Sequence, residues 1–340
     1  MTQSRSVPLS RRSFSAWIAA SAAAAAGAGG TAGMALWPGS AHAADAPLSN
    51  RLRIVIPAEE GGGWDQTGRA LGAAMQASGA VGSVVYDNIP GVGGNLGLAR
   101  YVEKYNADPD TVLMSGMVMV GAVALQKPAV TLTDMTPIAR LTSDYEVVAV
   151  KADSPLKTTS DLIAQLRAGA AGTVIAGGSA GGVDHMFAGM LARAAGASQS
   201  LTYLAHAGGA QVVEALDTGK AAAGISGHSE FAEGLASGKL RAIGVSAKRP
   251  FLGIPSVREQ GVDADLANWR GVLTGKKVPP YRKAALLEVV RRATATDVWQ
   301  KTIKSNNWEA FWLEGKDFEN FIALDAAAAG PLIQQLKLKA

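Results

Sequence analysis

Ser179 is the residue whose setting most resembles reaction chemistry. It stands in Gly177-Gly178-Ser179-Ala180-Gly181, a G-x-S-x-G pattern between an expected strand and an expected helix, as a nucleophile elbow requires. Asp217 and His228 follow it, so chain order permits a Ser179, Asp217, His228 triad and a secreted serine hydrolase is one reading. A loop rich in Gly and Ser meets this pattern easily, and no HGGG-type oxyanion segment accompanies it. Equally, the Ser179 hydroxyl and the N–H groups of Ala180 and Gly181 make a polar cradle for an oxyanion. A dinucleotide fingerprint is nearly met by Gly61 and Gly63, with Asp87 placed as a ribose-binding acid. However, Gln66 stands where the third glycine belongs, and the loop carries bulky Trp64. The chain has no Cys and only four His. That removes thiolate nucleophiles, Cys-based zinc sites and iron–sulfur clusters. His185, His206 and His228 lack ligand spacing, so no metal and no cofactor are expected.

The Gly-rich segments Gly61–Asp65, Gly91–Asn95 and Gly177–Asp184 each follow an expected strand and precede an expected helix. In α/β sheets that is where ligands bind. A helix N-terminus leaves N–H groups unpaired and carries partial positive charge. It therefore binds carboxylate or phosphate without Lys or Arg.

The elements that must hold these loops alternate along the chain. Leu52–Pro57, Ser83–Tyr86 and Thr111–Ser115 read as strands, with helices after Asp65 and Asn95, which are the expected caps. A second series follows: Val147–Val150, Thr173–Ala176, Leu201–Leu204, Ala221–Ile225 and Leu240–Val245 as strands, with helices near Ser160–Arg167 and Asp184–Ala195. After Ser246 the segment Pro250–Pro255 breaks the pattern. Trp269–Leu273 reads as a strand, and Tyr281–Ala293 and Phe318–Leu336 as helices. The repetition implies parallel sheets with helices on their faces. Two α/β lobes are expected, one from 44–145 plus 248–340 and one from 146–247, joined by a hinge of two crossings near Tyr145–Val147 and Ala247–Pro250.

The 340 residues are 48% hydrophobic and 18% charged, enough apolar material for two cores and too much for a disordered chain. Residues 1–43 carry Arg5, Arg11 and Arg12 and no acid, so most of the net charge of +4 belongs to them. The remainder is nearly neutral, and nucleic acid is not an expected partner. Residues 1–43 read as an export signal: Ser10-Arg11-Arg12-Ser13-Phe14 resembles a twin-arginine motif, the alanine tract Ala22–Ala26 is mildly apolar, and Ala41-His42-Ala43 suits cleavage before Ala44. The longest uncharged stretch beyond it, Thr111–Gln126, is shorter than the roughly 20 residues that span a bilayer. A periplasmic protein is expected.

Several segments together resemble the solute-binding proteins of tripartite tricarboxylate transporters, the TctC or Bug family. These are Pro57 through Gly61-Gly62-Gly63-Trp64-Asp65, Pro90 through Gly97, Gly177 through Asp184-His185, and Ser229-Glu230-Phe231-Ala232-Glu233. Ser246-Ala247-Lys248-Arg249 and Asn268-Trp269-Arg270-Gly271 also match. The order and spacing of the segments make the likeness specific. It implies a two-lobed periplasmic binding protein of the type II, Venus-flytrap architecture. It further implies capture of a small carboxylate, delivery to membrane permease subunits, and no catalysis; a monomer is expected. The tricarboxylate-binding branch is the nearer, which points to a citrate-like di- or tricarboxylate. One ligand carboxylate is then clamped by Gly62, Gly63 and Trp64 from one lobe and Ser179, Ala180 and Gly181 from the other. Asp65, Asp184, His185, Ser229, Trp269 and Arg270 complete the expected ligand-binding set, with Arg270 reaching a second carboxylate. Two departures from the family pattern stand out. Glu59 and Glu60 replace small residues, and at 4 Å a facing carboxylate would repel an anion by roughly 1–4 kcal/mol; either they point to solvent or the ligand has a cationic group. Leu204-Ala205-His206-Ala207 replaces a segment that usually carries Lys, which leaves the distal end of the ligand unassigned.

Overall fold

A computed structural model describes residues 48–339. The export signal and the cleavage position at Ala43/Ala44 lie outside the described residues. No helix among the described residues is long and apolar enough to cross a membrane.

Strand β1 (Ser49–Ile56) runs parallel between β2 (Val81–Asn88) and β3 (Thr111–Gly116). Helices α1 (Gly63–Ala77), α2 (Asn95–Tyr105) and α3 (Met117–Gln126) follow these three strands in turn. The chain then forms one long strand, β4 (Met135–Lys151). Its first half pairs antiparallel with β9 (Ala267–Gly275), which pairs with β3 in turn. Its other edge pairs antiparallel with β10 (Glu309–Glu314). The second half of β4 enters another sheet, antiparallel to β7 (Ala223–Gly227) and β8 (Leu240–Val245). There β5 (Val174–Gly177) runs parallel to β7 and to β6 (Thr202–Ala205). Helices α4 (Thr159–Gly169), α5 (Val183–Ala194), α6 (Gly209–Asp217) and α7 (His228–Ala236) belong to this second series. The last helices are α8 (Pro280–Thr294), α9 (Asp297–Ser305) and α10 (Gly315–Leu336).

The expectation of parallel sheets is thus corrected. Parallel pairing holds where a helix separates two strands. β4, β8, β9 and β10 pair antiparallel because the sheets meet in one shared strand and the chain re-enters them from the opposite end. The transfer falls between Tyr145, opposite Ala267, and Glu146, opposite Gly227. The return lies later than the 247/248 position expected. Val257, Val262 and Ala264 pack with Val148, Ile175 and Ile243 of the second sheet and with Phe187 of α5. Ala247 and Ile254 join Val147, Ala176, Val212 and Phe231 on its other face. The chain regains the first sheet at Ala267. Alternation explains the two faces: adjacent β4 residues Val147 and Val148 point oppositely and each meets its own helix layer.

The first lobe is built around Ile54, Ile56, Leu71, Leu113, Trp299 and Phe318. Helix α3 is apolar on all sides and packs inside it, with Met119 and Ala122 fully buried.

Candidate ligand site

Loops from both sheets line one cavity of about 740 Å³. It lies at the C-terminal ends of β1, β2, β5 and β6, where strand carbonyl ends give way to helix starts. Gly62, Gly63, Trp64, Ser179, Ala180, Asp184 and Arg270, all expected at the ligand, line it. So do the turn Pro90–Gly94, the segment Ala205–Gly208, and Gln211, Ser226, Glu230 and Asn268. The loops touch one another: a Cβ built on Gly93 would stand 3.5 Å from Cβ of Ser179.

The two expected clamp loops are held by their own side chains. Gly62 rather than Asp65 is the N-cap of α1. Asp65, at the third helical position, turns back. Its carboxylate accepts from Gly61 N–H, Arg69 Nε and Asn88 Nδ2, each at 2.9 Å. Burial alone would raise the Asp65 pKa; the hydrogen bonds from Arg69, Gly61 and Asn88 outweigh it and lower it. Asp65 thus braces the loop from behind. In the second loop Gly178 N–H donates to Asp184 Oδ2 at 2.6 Å and Gly181 N–H donates to His185 Nδ1 at 3.0 Å. The His185 ring stacks on Tyr203 at 4.0 Å. Burial pulls His185 down to about 4, so it is neutral and accepts at Nδ1.

These bonds use some of the N–H groups and leave others. Gly62 N–H is donated to Glu59 O at 3.2 Å and Gly182 N–H to Ser179 O at 2.9 Å. Among the described residues the N–H groups of Gly63, Trp64, Ser179 and Ala180 have no acceptor. Beside Gly63 lies the Arg270 guanidinium, with Nη2 2.6 Å from where a Cβ of that glycine would stand. Arg270 is buried, 3.5 Å from Asp144 Oδ2 and 3.3 Å from Thr67 Oγ1. Unpaired N–H groups at the start of α1 and in the turn that precedes α5, together with a guanidinium, make an anion site.

An acidic cluster lies beside Arg270: Asp144 Oδ2, Glu230 Oε2 and Arg270 Nη2 all come within 3.7 Å of where a Cβ of Gly227 would stand. Glu146, fully buried, accepts from Asn268 Nδ2 at 3.0 Å. Its carboxyl lies within hydrogen-bond reach of Asp184. Burial and the Asp184 charge raise Glu146 well above the usual carboxylate range, and burial pushes Asp184 up to about 7. One proton shared between two carboxyls satisfies both; two bare carboxylates would not tolerate the contact. Burial also raises Asp144 to about 6, against the pull of Arg270. Glu230 accepts from Ser226 Oγ at 2.9 Å and Gly209 N–H at 3.1 Å.

The other expected residues lie elsewhere. Trp269 alternates away from Asn268 and Arg270 along β9 and enters the core, its Nε1 donating to Asp325 at 2.7 Å. Gly181 packs against α3, close to Gly121. Ser229 lines an adjoining groove, whose wall also carries Glu59, Glu60, Asp217 and Glu233. Glu59 and Glu60 are exposed, and Glu60 pairs with Arg69 at 3.3 Å. His206 and Ala207 of the departing segment line the cavity itself.

The hydrolase reading is not supported by placement. His228 packs edge-on against Phe251 at 6.5 Å, and no hydrogen bond joins it to Ser179 or Asp217 among the described residues. Nor does Ser179 take a positive φ; among the described residues Val92, Lys127, Leu252, Asn307 and Lys337 are the non-glycine residues that do. The dinucleotide reading also falls away, because Asp87 is taken by Arg53 at 3.6 Å and by Tyr105.

Sequence reasoning missed Asp144 and Glu146 altogether. The available signal was a pair of carboxylates, Asp144 and Glu146, directly before the apolar run Val147–Val150, which burial makes costly without a purpose.

Two sheets sharing a strand, with a cavity between their loops, define a two-lobed periplasmic-binding-protein fold. Residues 70–338 match the model of the tripartite tricarboxylate transporter family receptor, TctC, and the chain belongs to that family. It is similar to BugT of Bordetella pertussis, 27% identical over 247 residues, 70% of this chain and 74% of BugT. Among solved structures, MatC of Rhodopseudomonas palustris with bound malate shares the fold with a TM-score of 0.74, at 19% identity, over 84% of this chain and 99% of that one. A second R. palustris protein, with adipate, has a TM-score of 0.78 at 20% identity over 87% and 99% of the two chains.

Proposed function

We propose that this receptor captures a small carboxylate, a citrate-like di- or tricarboxylate, in the periplasm and hands it to the permease subunits of its transporter. It does so as a monomer, after removal of residues 1–43. The observation that carries this reading is the group of unpaired N–H donors on Gly63, Trp64, Ser179 and Ala180, residues that line one cavity together with Arg270. A carboxylate between the two loops accepts from both lobes at once and so favours their closure. Each helix start contributes roughly 0.3–1 kcal/mol, up to about 2 when partly buried. Each charge-assisted hydrogen bond adds about 1.5–3 kcal/mol. Together these offset the desolvation of one carboxylate.

Thermal-shift screening of the exported chain against di- and tricarboxylates tests the reading. A ligand at 100 times its dissociation constant adds about 2.7 kcal/mol of stability. Failure of every carboxylate to raise the melting temperature would sink it. The neighbours bound to malate and adipate make dicarboxylates of four and six carbons the natural first probes.

A further inference from the structure

Helix α5 has two apolar faces, and they belong to different cores. Phe187, Ala188 and Leu191 pack in the second lobe. Val183 and Met186 are buried in the core of the first lobe, together with Leu336 and Leu338. The spacing 183, 186, 190 makes one stripe along the helix and 187, 191 another. Met190 packs against both cores. The same helix carries the second clamp loop. Asp184 takes Gly178 N–H, His185 Nδ1 takes Gly181 N–H, and the Tyr203 hydroxyl donates to Gly178 O at 2.7 Å. The position of α5 therefore sets where the Ser179 and Ala180 N–H groups stand.

Two close approaches seat α5 on the first lobe. Near its start, α3 meets the loop backbone: a Cβ on Gly121 would collide with Gly181 O, and one on Gly181 would stand 3.0 Å from Gly121 O. At its middle Gly189 leaves a notch, which the end of α10 fills. A Cβ on Gly189 would stand 2.7 Å from Leu338 Cδ2 and 3.1 Å from Leu336 Cβ. Both leucines are buried. Leu338 reaches the notch through a Schellman turn: Lys337 N–H donates to Gln334 O and Leu338 N–H to Ile333 O, both at 3.1 Å. Lys337 takes φ +57° there, a left-handed conformation that glycine usually supplies. Such strain persists where the surroundings hold it in place. Lys337 and Leu338 also line a small cavity behind the clamp loop, with Ala180, His185 and Tyr203.

We propose that the C-terminal turn Leu336–Leu338 is a clasp between the lobes. Seated at Gly189, it holds α5 against the first lobe and so fixes the Ser179 and Ala180 donors relative to those of Gly63 and Trp64. Leu338 lies outside the ligand cavity and acts as a positioning residue. The clasp keeps the binding arrangement populated before ligand arrives. Without it, affinity falls by the fraction of molecules that leave that arrangement. The inference rests on the carboxylate clamp.

The chain has no Cys, so spin labels attach only where cysteines are introduced. Lys104→Cys on α2 and Lys220→Cys before β7, both exposed, put one label on each lobe. Double electron–electron resonance reads the lobe separation, and calorimetry with malate and adipate reads affinity. Leu338→Ala should broaden the distance distribution of the unliganded protein and weaken binding of either probe at least threefold. Leu338→Met, which refills the notch, should restore both. Should circular dichroism show Leu338→Ala unfolded, Leu338→Val makes the same comparison. Unchanged distances, or binding weakened less than threefold, would overturn the clasp even if the melting temperature falls, because Leu338 would then only stabilise the fold. If neither probe binds the wild type, the carboxylate reading loses ground separately and the unliganded distances alone decide the clasp.

Discussion

Gly63 lies against the Arg270 guanidinium so closely that a methyl group on it would stand 2.6 Å from Nη2. Gly63 is the first residue of α1 and does not have a positive φ, so its backbone tolerates a side chain. What a side chain displaces is Arg270, only 2% exposed and tied to Asp144 and Thr67. Gly63→Val should therefore weaken carboxylate binding at least about tenfold, a loss of roughly 1.4 kcal/mol. Lys248→Ala should leave it unchanged, since Lys248 is exposed and pairs only with Asp265 at 3.8 Å. Calorimetry on the two variants decides this; the reverse order of effects would show that charge at the rim, not the loop backbone, holds the ligand.

Ser179→Ala tests the second loop. No hydrogen bond within the protein engages the Ser179 hydroxyl among the described residues, so its removal leaves the loop intact. Affinity should fall about tenfold, the worth of one hydrogen bond near 1.4 kcal/mol. The melting temperature of the unliganded protein should stay within a degree or two.

The buried acidic cluster gives stability a definite pH dependence. Asp184 is raised to about 7 and Asp144 to about 6, mainly by burial. The folded protein therefore holds more protons at these groups than the unfolded chain does, and their contribution makes stability fall as pH rises from about 4 through about 7. His185, lowered to about 4, acts oppositely, costing stability as pH drops through 6.5 toward 4. Urea unfolding of Asp184→Asn should thus show a flatter profile between pH 5 and 8, with a gain at pH 8 of at least about 1 kcal/mol relative to pH 5. Asparagine can still accept from Gly178 and donate to Glu146. An unchanged slope would mean that Asp184 titrates normally.

Strand–loop–helix order was legible because it leaves local marks: Gly61–Gly63 and Gly177–Gly182 between an apolar run and an amphipathic one. β8 was read at its full bounds, and α8 within a residue. What escaped notice depends on partners distant in sequence. β4 extends over 17 residues, and its first half, Met135–Tyr145, mixes Thr, Pro, Arg and Asp with apolar residues. Nothing local predicts that β9 and β10 will pair with it. Helix α3 escaped because nine of its ten residues, Met117–Leu125, are apolar or glycine and leave no polar face to reveal its period. In the site, backbone donors were legible from glycine spacing. The choice among Asn268, Trp269 and Arg270 was not, since strand register decides which of three consecutive residues face the cavity.

Trp269 offers a contrast between stability and binding. It is buried, meets Phe318 and Phe321 edge-on at 5.6 Å each, and donates from Nε1 to Asp325. Trp269→Phe keeps much of the apolar contact and strands Asp325, whose pKa burial already raises. The expected cost is about 1–3 kcal/mol of stability. Affinity measured well below the melting temperature should stay within about twofold, and a larger loss would place Trp269 at the ligand.

Ser246 ties the two chain crossings together. Its Oγ accepts from Glu146 N–H at 2.9 Å and donates to Leu266 O at 2.6 Å. Glu146 is the first β4 residue in the second sheet, and Leu266 immediately precedes the return at Ala267. One buried hydroxyl thus spans both chain crossings between the sheets, which we propose act as the hinge. A hinge of two extended crossings lets the lobes rotate by small backbone changes, and a ligand that bonds to both loops favours the closed arrangement. Small-angle scattering should show a smaller radius of gyration with ligand than without. Ser246→Ala should keep the fold, because both lobes retain their own cores, but widen the unliganded ensemble and weaken binding through the larger cost of closing. Identical dimensions for wild type and variant, with identical affinity, would show that Ser246 does not restrain the hinge. Equal dimensions of the wild type at saturating ligand and without it would count against closure itself.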